Sequence, residues 1–110
     1  MARARAYFIY IVASKSGVLY VGSTSDLVRR IYQHRHGLIP GFTKQYNVHR
    51  LVWWETTPNS RAMVEREREI KGWRREKKVR LIEATNPGWH DLAVDWLRDA
   101  LGQDPSLRSG

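Results

Sequence analysis

The chain of 110 residues contains no cysteine. This excludes disulfides, thiolate nucleophiles and cysteine-based zinc sites, and it suits a reducing compartment, so we expect a cytoplasmic protein. Long apolar runs are also missing. The N-terminal run covers only about residues 6–13 and contains tyrosines, which predicts a β-strand rather than a signal peptide or a membrane span. The length predicts one domain with a modest core.

Acidic residues are scarce relative to basic ones. The 19 Lys and Arg against 11 Asp and Glu give a formal net charge of +8 and a pI near 10.3. Such a charge favours a polyanionic partner, and nucleic acid is the first candidate. A basic surface that only keeps the protein soluble is the alternative.

Three segments have the composition of β-strands, at residues 6–14, 18–22 and 49–56. A three-residue loop at 15–17, with Gly17 in the left-handed conformation, predicts that Val12 pairs with Tyr20. This register places Tyr10 and Tyr20 on the same face of the sheet as diagonal neighbours. A two-residue loop would place them on opposite faces.

Helical spacing accounts for most of the remaining chain. We expect a first helix over about 25–36 that begins at Ser25 or Asp26, a loop over 37–47, and two helices within 60–85 that meet near Gly72. A short helix at 91–101 and a frayed end complete the chain. The prediction is an α+β fold with a small three-stranded antiparallel sheet flanked by helices. Residues 1–90 form the main domain, and 91–110 form a C-terminal helical tail packed on it or fraying from it.

Three charged or polar side chains fall on predicted apolar helix faces. Arg30 and His34 share one face with Ile31, and Glu67 lies on the apolar side of the later helix. An inward carboxylate costs free energy unless it is paired or binds a metal. An ion pair of Glu67 with Arg30 or Lys71 is the simple structural explanation. One small core would nevertheless have to absorb all of these groups.

These residues carry a resemblance to a known family. The tripeptides Phe-Ile-Tyr at 8–10 and Tyr-Val-Gly at 20–22, an arginine ten residues beyond the second tyrosine, a histidine four residues further and a glutamate on a later helix resemble the GIY-YIG nuclease superfamily. The similarity is to its small stand-alone bacterial members and spans about residues 6–90. The chain is also similar to the nuclease domain of the nucleotide-excision-repair incision subunit, in which a lysine occupies the position of Ser23. The first motif lacks its initial glycine.

The resemblance implies a metal-dependent endonuclease whose catalytic residues are Tyr10, Tyr20, Arg30, His34 and Glu67. Water would attack the phosphorus in line, Arg30 would stabilise the charge on the phosphate, and Glu67 would bind one Mg²⁺ or Mn²⁺. We expect one metal because only one inward carboxylate is visible. Tyr20 is the expected general base, with His34 as the alternative because histidine titrates near neutral pH.

The basic stretch 61–80 is the expected surface for nucleic acid, DNA rather than RNA, with a role in DNA repair. The candidates for phosphate contacts are Arg66, Lys71, Arg74, Arg75, Lys77 and Lys78, although a solvated helix face explains any one of them. The tryptophans are predicted to pack in the core, and Trp73 is the choice if one stacks on a base. A nucleic-acid-binding module of the same fold without cleavage is the alternative function. A protein-interaction domain that docks an acidic partner is the third.

Overall fold

A three-stranded antiparallel sheet organises the computed structural model, which describes residues 6–94 and residue 96. The strands β1 (Tyr7–Ala13), β2 (Leu19–Thr24) and β3 (Arg50–Thr57) lie in the order β2-β1-β3. The helices are α1 (Leu27–Arg35), α2 (Phe42–Gln45), α3 (Ser60–Lys71) and α4 (Arg75–Thr85). The predicted α+β class and the three-stranded antiparallel sheet are confirmed.

The hairpin of β1 and β2 has the predicted register. Val12 pairs with Tyr20, and Tyr10 pairs with Gly22. The loop at 15–17 contains Gly17 at φ +93°, a conformation that glycine adopts without steric cost. Tyr10 and Tyr20 are therefore diagonal neighbours on one face, as the three-residue loop predicts.

The central strand β1 is buried on both faces because helices cover both sides of the sheet. Ile9 and Ile11 point into a cluster with Ile70 and Ile82 from α3 and α4. The alternate residues of β1 point to the other side, where Tyr10 and Val12 pack with residues of α1 that include Leu27 and Ile31. Tyr10 is thus the polar residue that β1 contributes to the face covered by α1.

Capping hydrogen bonds mark where the long helices begin and end. The side chain of Asp26 accepts a hydrogen bond from the Arg29 N–H at the start of α1, and Asn59 does the same for α3. After α1, Gly37 has φ +65° and the Leu38 N–H donates to the Gln33 carbonyl at 2.8 Å, the hydrogen bond of a Schellman motif. The predicted break near Gly72 is confirmed, because α3 ends at Lys71 and α4 begins at Arg75.

The prediction of an irregular loop over 37–47 is wrong in one part. Residues Phe42–Gln45 form the single helical turn α2, which follows Gly41 at φ +101°. One turn is too short to show a helical period in the sequence, and Pro40 and Gly41 indicated only a chain reversal. The turn matters because it brings Thr43 into the interior, where it is 5% exposed.

The segment after α4 returns to the sheet at residues 91–93. The Leu92 N–H donates to the Leu51 carbonyl at 2.8 Å, and Ala93 is fully buried in the core on the α1 side. The predicted helix at 91–101 lies mostly outside the described residues. Among the helices of the described chain, none is long and apolar enough to cross a membrane.

Asn86 joins the end of α4 to β3 and yields a prediction for stability. It is 3% exposed, its amide donates to the Val52 and His90 carbonyls at 3.1 and 2.9 Å, and its oxygen accepts from the His90 N–H. We expect Asn86→Ala to lower the free energy of unfolding by about 2 kcal/mol because it leaves buried groups without partners. The exposed cap substitution Asn59→Ala should cost only about 1 kcal/mol.

Urea denaturation of both variants measures the difference. A smaller loss for Asn86→Ala than for Asn59→Ala would contradict the structural role given to Asn86.

Candidate active site

The phenol of Tyr10 lies directly over Gly22 on the neighbouring strand. Tyr10 has no exposed surface, and a Cβ atom built at Gly22 would lie 2.4 Å from the Tyr10 hydroxyl oxygen and 2.5 Å from its ring carbon Cζ. No other residue type therefore fits at position 22 while Tyr10 holds this orientation. Gly22 therefore has a steric role in the structure.

His34 joins Tyr10 to α2. Its Nε2 atom lies 2.8 Å from the Tyr10 hydroxyl, and its Nδ1 atom lies 3.2 Å from the Thr43 hydroxyl. His34 is 5% exposed. A neutral imidazole has one donor and one acceptor nitrogen, and a hydroxyl can serve either, so both ring nitrogens are satisfied in either tautomer. His34 is thereby fixed between two elements.

Burial sets the protonation of this pair. It raises the pKa of Tyr10 to about 12, although the neighbouring Arg30 acts in the opposite direction. It lowers the pKa of His34 to about 4, and the charge of Arg30 adds to this effect. Both side chains are therefore neutral at pH 7, which avoids the cost of a buried charge.

Arg30 lies one helical turn before His34 on α1 and is half-buried. Its positive charge disfavours the protonated form of Tyr10, His34 and Glu67 alike and draws the pKa of each downward. A cavity of about 220 Å³, lined by residues that include Arg30 and Gln33, opens beside the guanidinium.

Tyr20 stands at the edge strand β2 and is half-buried. Its ring centroid lies 5.8 Å from that of His34. The ammonium nitrogen of Lys71, from α3, lies 5.5 Å from the Tyr20 ring centroid. Tyr20 is therefore the more accessible of the two tyrosines, and its neighbouring cation is Lys71.

Glu67 is held in place from two sides. The Ser23 hydroxyl donates to Oε1, and the Lys71 ammonium lies 2.7 Å from Oε2. Burial disfavours the charged carboxylate, but the hydrogen bonds from Lys71 and Ser23 and the charge of Arg30 outweigh it, so the pKa of Glu67 lies below its usual value. Glu67 is thus ionised. Of the two partners expected from the sequence, Arg30 and Lys71, it is Lys71 that forms the ion pair.

The donor set is compatible with one hydrated Mg²⁺ or Mn²⁺. Mg²⁺ is commonly held by one or two carboxylates together with several waters, and Glu67 supplies one carboxylate with the Ser23 hydroxyl next to it. Metal binding at Oε2 would compete with the Lys71 ammonium. Within residues 6–94 and residue 96, no group of three or more His, Asp or Glu side chains is placed to hold a metal ion.

Apart from Lys71, the predicted phosphate contacts lie around α3 and α4 rather than at this cluster. Arg66 forms ion pairs with Glu55 and Glu69 at 2.7 and 2.8 Å, so its guanidinium is already engaged. Arg75 donates to the Gly17 carbonyl at 2.6 Å. Lys77 lies 4.3 Å from the Trp73 ring centroid. Of the remaining three, Arg74 is exposed, Lys78 is half-buried and Lys71 contacts Glu67.

Tyr10, Tyr20, Arg30, His34 and Glu67 therefore lie together, where α1 and α3 flank the β1–β2 hairpin. Thr43 could not be identified from the sequence, because it lies in a helical turn too short to show periodicity. Ser23 was noticed only as a departure from a related domain, and here it binds the glutamate. The alternation of side chains along β2 places Ser23 and Tyr20 on opposite faces of the sheet. The strand pattern alone therefore did not indicate that both residues lie near one site.

The site combines a tyrosine from each of two strands, an arginine and a histidine from the next helix, and a glutamate from a later helix. This combination defines a distinct class of small α+β domain. The family model of the GIY-YIG catalytic domain matches residues 6–80. The chain belongs to the GIY-YIG family, which confirms the predicted membership of a nuclease superfamily.

Named relatives agree with this assignment. The chain is 38% identical over 76 residues to UPF0213 protein SSP2268 of Staphylococcus saprophyticus, across 69% of this chain and 93% of the relative. It is 36% identical over 78 residues to UPF0213 protein SAV0488 of Staphylococcus aureus, across 71% and 95%. The solution NMR structure of the UPF0213 protein BH0048 from Bacillus halodurans is similar, with a TM-score of 0.51, 28% identity and coverage of 81% and 96%. The chain is thus similar to small bacterial proteins across most of their length.

The close approach of Tyr10 to Gly22 predicts a steric penalty. We expect Gly22→Ala to lower the free energy of unfolding by about 1–3 kcal/mol, because the buried phenol must move to make room for the new methyl group. In a Tyr10→Ala background the same substitution should cost much less. Gly72→Ala is the control, since its nearest neighbours lie at 3.5 and 3.6 Å. Equal costs of Gly22→Ala in both backgrounds, measured by urea denaturation, would contradict the contact.

The low pKa of His34 predicts a dependence of stability on pH. In the unfolded chain His34 takes up a proton below about pH 6.5, whereas the folded protein keeps it neutral down to about pH 4. Proton uptake therefore favours the unfolded state in this window. The free energy of unfolding should fall as the pH drops from 6.5 to 4, by up to about 3 kcal/mol from this residue.

His34→Gln retains hydrogen-bonding capacity but does not titrate, so it should reduce this fall. Urea denaturation at pH 7 and pH 4.5 gives the comparison, and the other histidines contribute equally to both proteins. The same loss of stability in the wild type and in His34→Gln would show that His34 is not the titrating group.

Proposed function

We propose that this protein is a divalent-metal-dependent endonuclease that hydrolyses phosphodiester bonds in nucleic acid, with DNA as the substrate. The observation that carries the proposal is the cluster around His34, which contacts Tyr10 and Tyr20 and lies one helical turn from Arg30, with the ion pair of Glu67 and Lys71 beside the Tyr20 ring. A planar guanidinium placed among neutral hydroxyls and one carboxylate suits a transferring phosphoryl group. The net charge of +8 favours the same polyanionic substrate.

Tyr20 is the group best suited to activate water. The two ring nitrogens of His34 are occupied by Tyr10 and Thr43, and its pKa of about 4 makes it a weak base. Tyr20 is more accessible than Tyr10, and the Lys71 ammonium lies 5.5 Å from its ring centroid. We therefore assign His34 the role of positioning Tyr10, and Tyr20 the role of accepting the proton from water.

The reaction balances as a simple hydrolysis. The water oxygen forms a bond to phosphorus as the bond from phosphorus to the 3′-oxygen breaks. The water proton passes to Tyr20 acting as the phenolate, and the departing 3′-oxygen takes up a proton from solvent. Arg30 stabilises the charge on the non-bridging oxygens. Glu67 would hold Mg²⁺ or Mn²⁺, which when bound stabilises the negative charge of the leaving oxygen. Because a metal at Oε2 would compete with the Lys71 ammonium, the ion pair between Lys71 and Glu67 would then break.

The ion pair between Glu67 and Lys71 specifically favours the second candidate function, a nucleic-acid-binding module of the same fold that does not cleave. An ammonium 2.7 Å from Oε2 already neutralises the carboxylate that a metal would need. In that case Arg30 and Lys71 would serve only as part of a phosphate-binding surface. Binding would fall with added salt, and no divalent metal would produce cleavage.

Cleavage of supercoiled plasmid and of a labelled single strand, with Mg²⁺, Mn²⁺ or EDTA, separates these two functions. We expect metal-dependent cleavage that falls by at least about 100-fold in Tyr20→Phe and in Glu67→Gln. The matched controls are Tyr32→Phe and Glu65→Gln, since both residues are exposed. All four variants should still bind nucleic acid.

Cleavage that survives Glu67→Gln would overturn the mechanism. Salt-sensitive binding without cleavage under any of these metals would favour the binding module.

A further inference from the structure

Two exposed aromatic rings extend from Tyr20 along α2. Phe42 stacks beside Tyr20 with 6.4 Å between ring centroids and 29° between planes, and Tyr46 lies 4.9 Å from Phe42. Phe42 is 46% exposed and Tyr46 is 49% exposed. Tyr20, Phe42 and Tyr46 form a continuous surface, here called the aromatic platform, that begins at the proposed general base.

Folding does not account for this exposure. The turn α2 is attached to the interior through Thr43, whose hydroxyl bonds to His34 and whose carbonyl accepts from the Val48 N–H at 2.9 Å. Phe42 and Tyr46 instead leave about half of their surface in water, so they gain only part of the stabilisation available from burial. Single exposed aromatic residues are common, but two exposed rings that continue from Tyr20 at a candidate active site indicate a ligand.

The surroundings of the platform favour a nucleobase over an apolar peptide. The Lys71 ammonium lies 5.5 Å from the Tyr20 ring centroid, and Lys44 is exposed in the same turn as Phe42. Aromatic rings next to cations are the usual means by which proteins hold the bases and phosphates of an unpaired strand. The net charge of +8 adds to the attraction for a polyanion.

The platform is also linked to the catalytic cluster. His34 contacts Tyr10, Tyr20 and Thr43, so the same side chain that fixes the buried phenol also fixes the turn that carries Phe42. A ligand on the platform is therefore held at a defined position relative to Tyr20. This is the arrangement expected of a substrate subsite rather than of a remote docking patch.

We infer that the aromatic platform is a subsite in which an unpaired nucleobase stacks on Phe42, next to the phosphate bound at Arg30. The inference rests on the proposed function for the phosphate site. A base inside a duplex is already stacked on its neighbours, so the nucleotide at this position must be unpaired when it binds. The platform thereby requires a substrate with at least one accessible base beside the cut bond.

The contribution of the base can be isolated by binding measurements in EDTA, where no cleavage occurs. Two fluorescein-labelled strands of twelve nucleotides are compared, one of thymidines and one of abasic residues, which carry the same number of phosphates. Fluorescence anisotropy should show about ten-fold tighter binding of the thymidine strand by the wild type. The ratio of the two dissociation constants, abasic strand over thymidine strand, should therefore be about ten for the wild type. Phe42→Ala should bring this ratio close to one, and Phe42→Trp should retain it.

Tyr32→Ala is the matched control, because Tyr32 is 42% exposed and its ring contacts that of His36. This variant should keep the ten-fold ratio. Tyr46→Ala tests the outer part of the platform and should reduce the ratio. Because Phe42 and Tyr46 leave about half of their surface in water, neither variant is expected to impair folding.

A ratio of one in the wild type, or a ratio unchanged in Phe42→Ala, would overturn the inference.

Cleavage of the thymidine strand with Mg²⁺ or Mn²⁺, measured in parallel, tests the proposed function separately. Cleavage with a ratio of one would reject the platform and keep the nuclease. Base-dependent binding without cleavage would keep the platform and reject the nuclease. Self-association that is lost in Phe42→Ala, together with a ratio of one, would identify a protein interface instead.

Discussion

The hydrogen bond between the hydroxyl of Tyr10 and Nε2 of His34 is the interaction on which the arrangement of the site depends. It crosses from the central strand to α1 inside the core, where no water is needed to satisfy either group. An unpaired hydroxyl or imidazole at this depth would cost free energy, so each group specifies the position of the other. Thr43 completes the network and brings α2 with it.

The two faces of the sheet are stabilised in different ways. On one side, the aliphatic residues of β1 pack against α3 and α4 and provide most of the apolar burial. On the other side, the buried chain Tyr10, His34 and Thr43 replaces part of an apolar core with hydrogen bonds. Glu67 and Lys71 reach the edge strand from α3. The candidate site therefore lies where the two layers meet at the edge of the sheet.

Much of the fold could be predicted because local patterns agree with the tertiary structure. The turn chemistry of residues 15–17 gave the register of the hairpin, and helical periodicity placed Arg30, His34 and Glu67 on inward faces. Contacts between elements distant in sequence could not be predicted in the same way. The choice of Lys71 over Arg30 as the partner of Glu67, and the burial of Thr43, depend on how helices pack on the sheet. No periodicity within one segment carries that information.

The steric fit of Tyr10 on Gly22 also has a consequence for how the hairpin tolerates change. A slip of the strands by one residue would bring Val21 or Ser23 opposite Tyr10, and either would place a Cβ atom where the phenol now lies. The fit therefore holds the register from within the sheet, independently of the loop that joins the strands. We expect insertions at residues 15–17 to leave the candidate site intact, so this loop is a suitable place to attach a probe or a second domain.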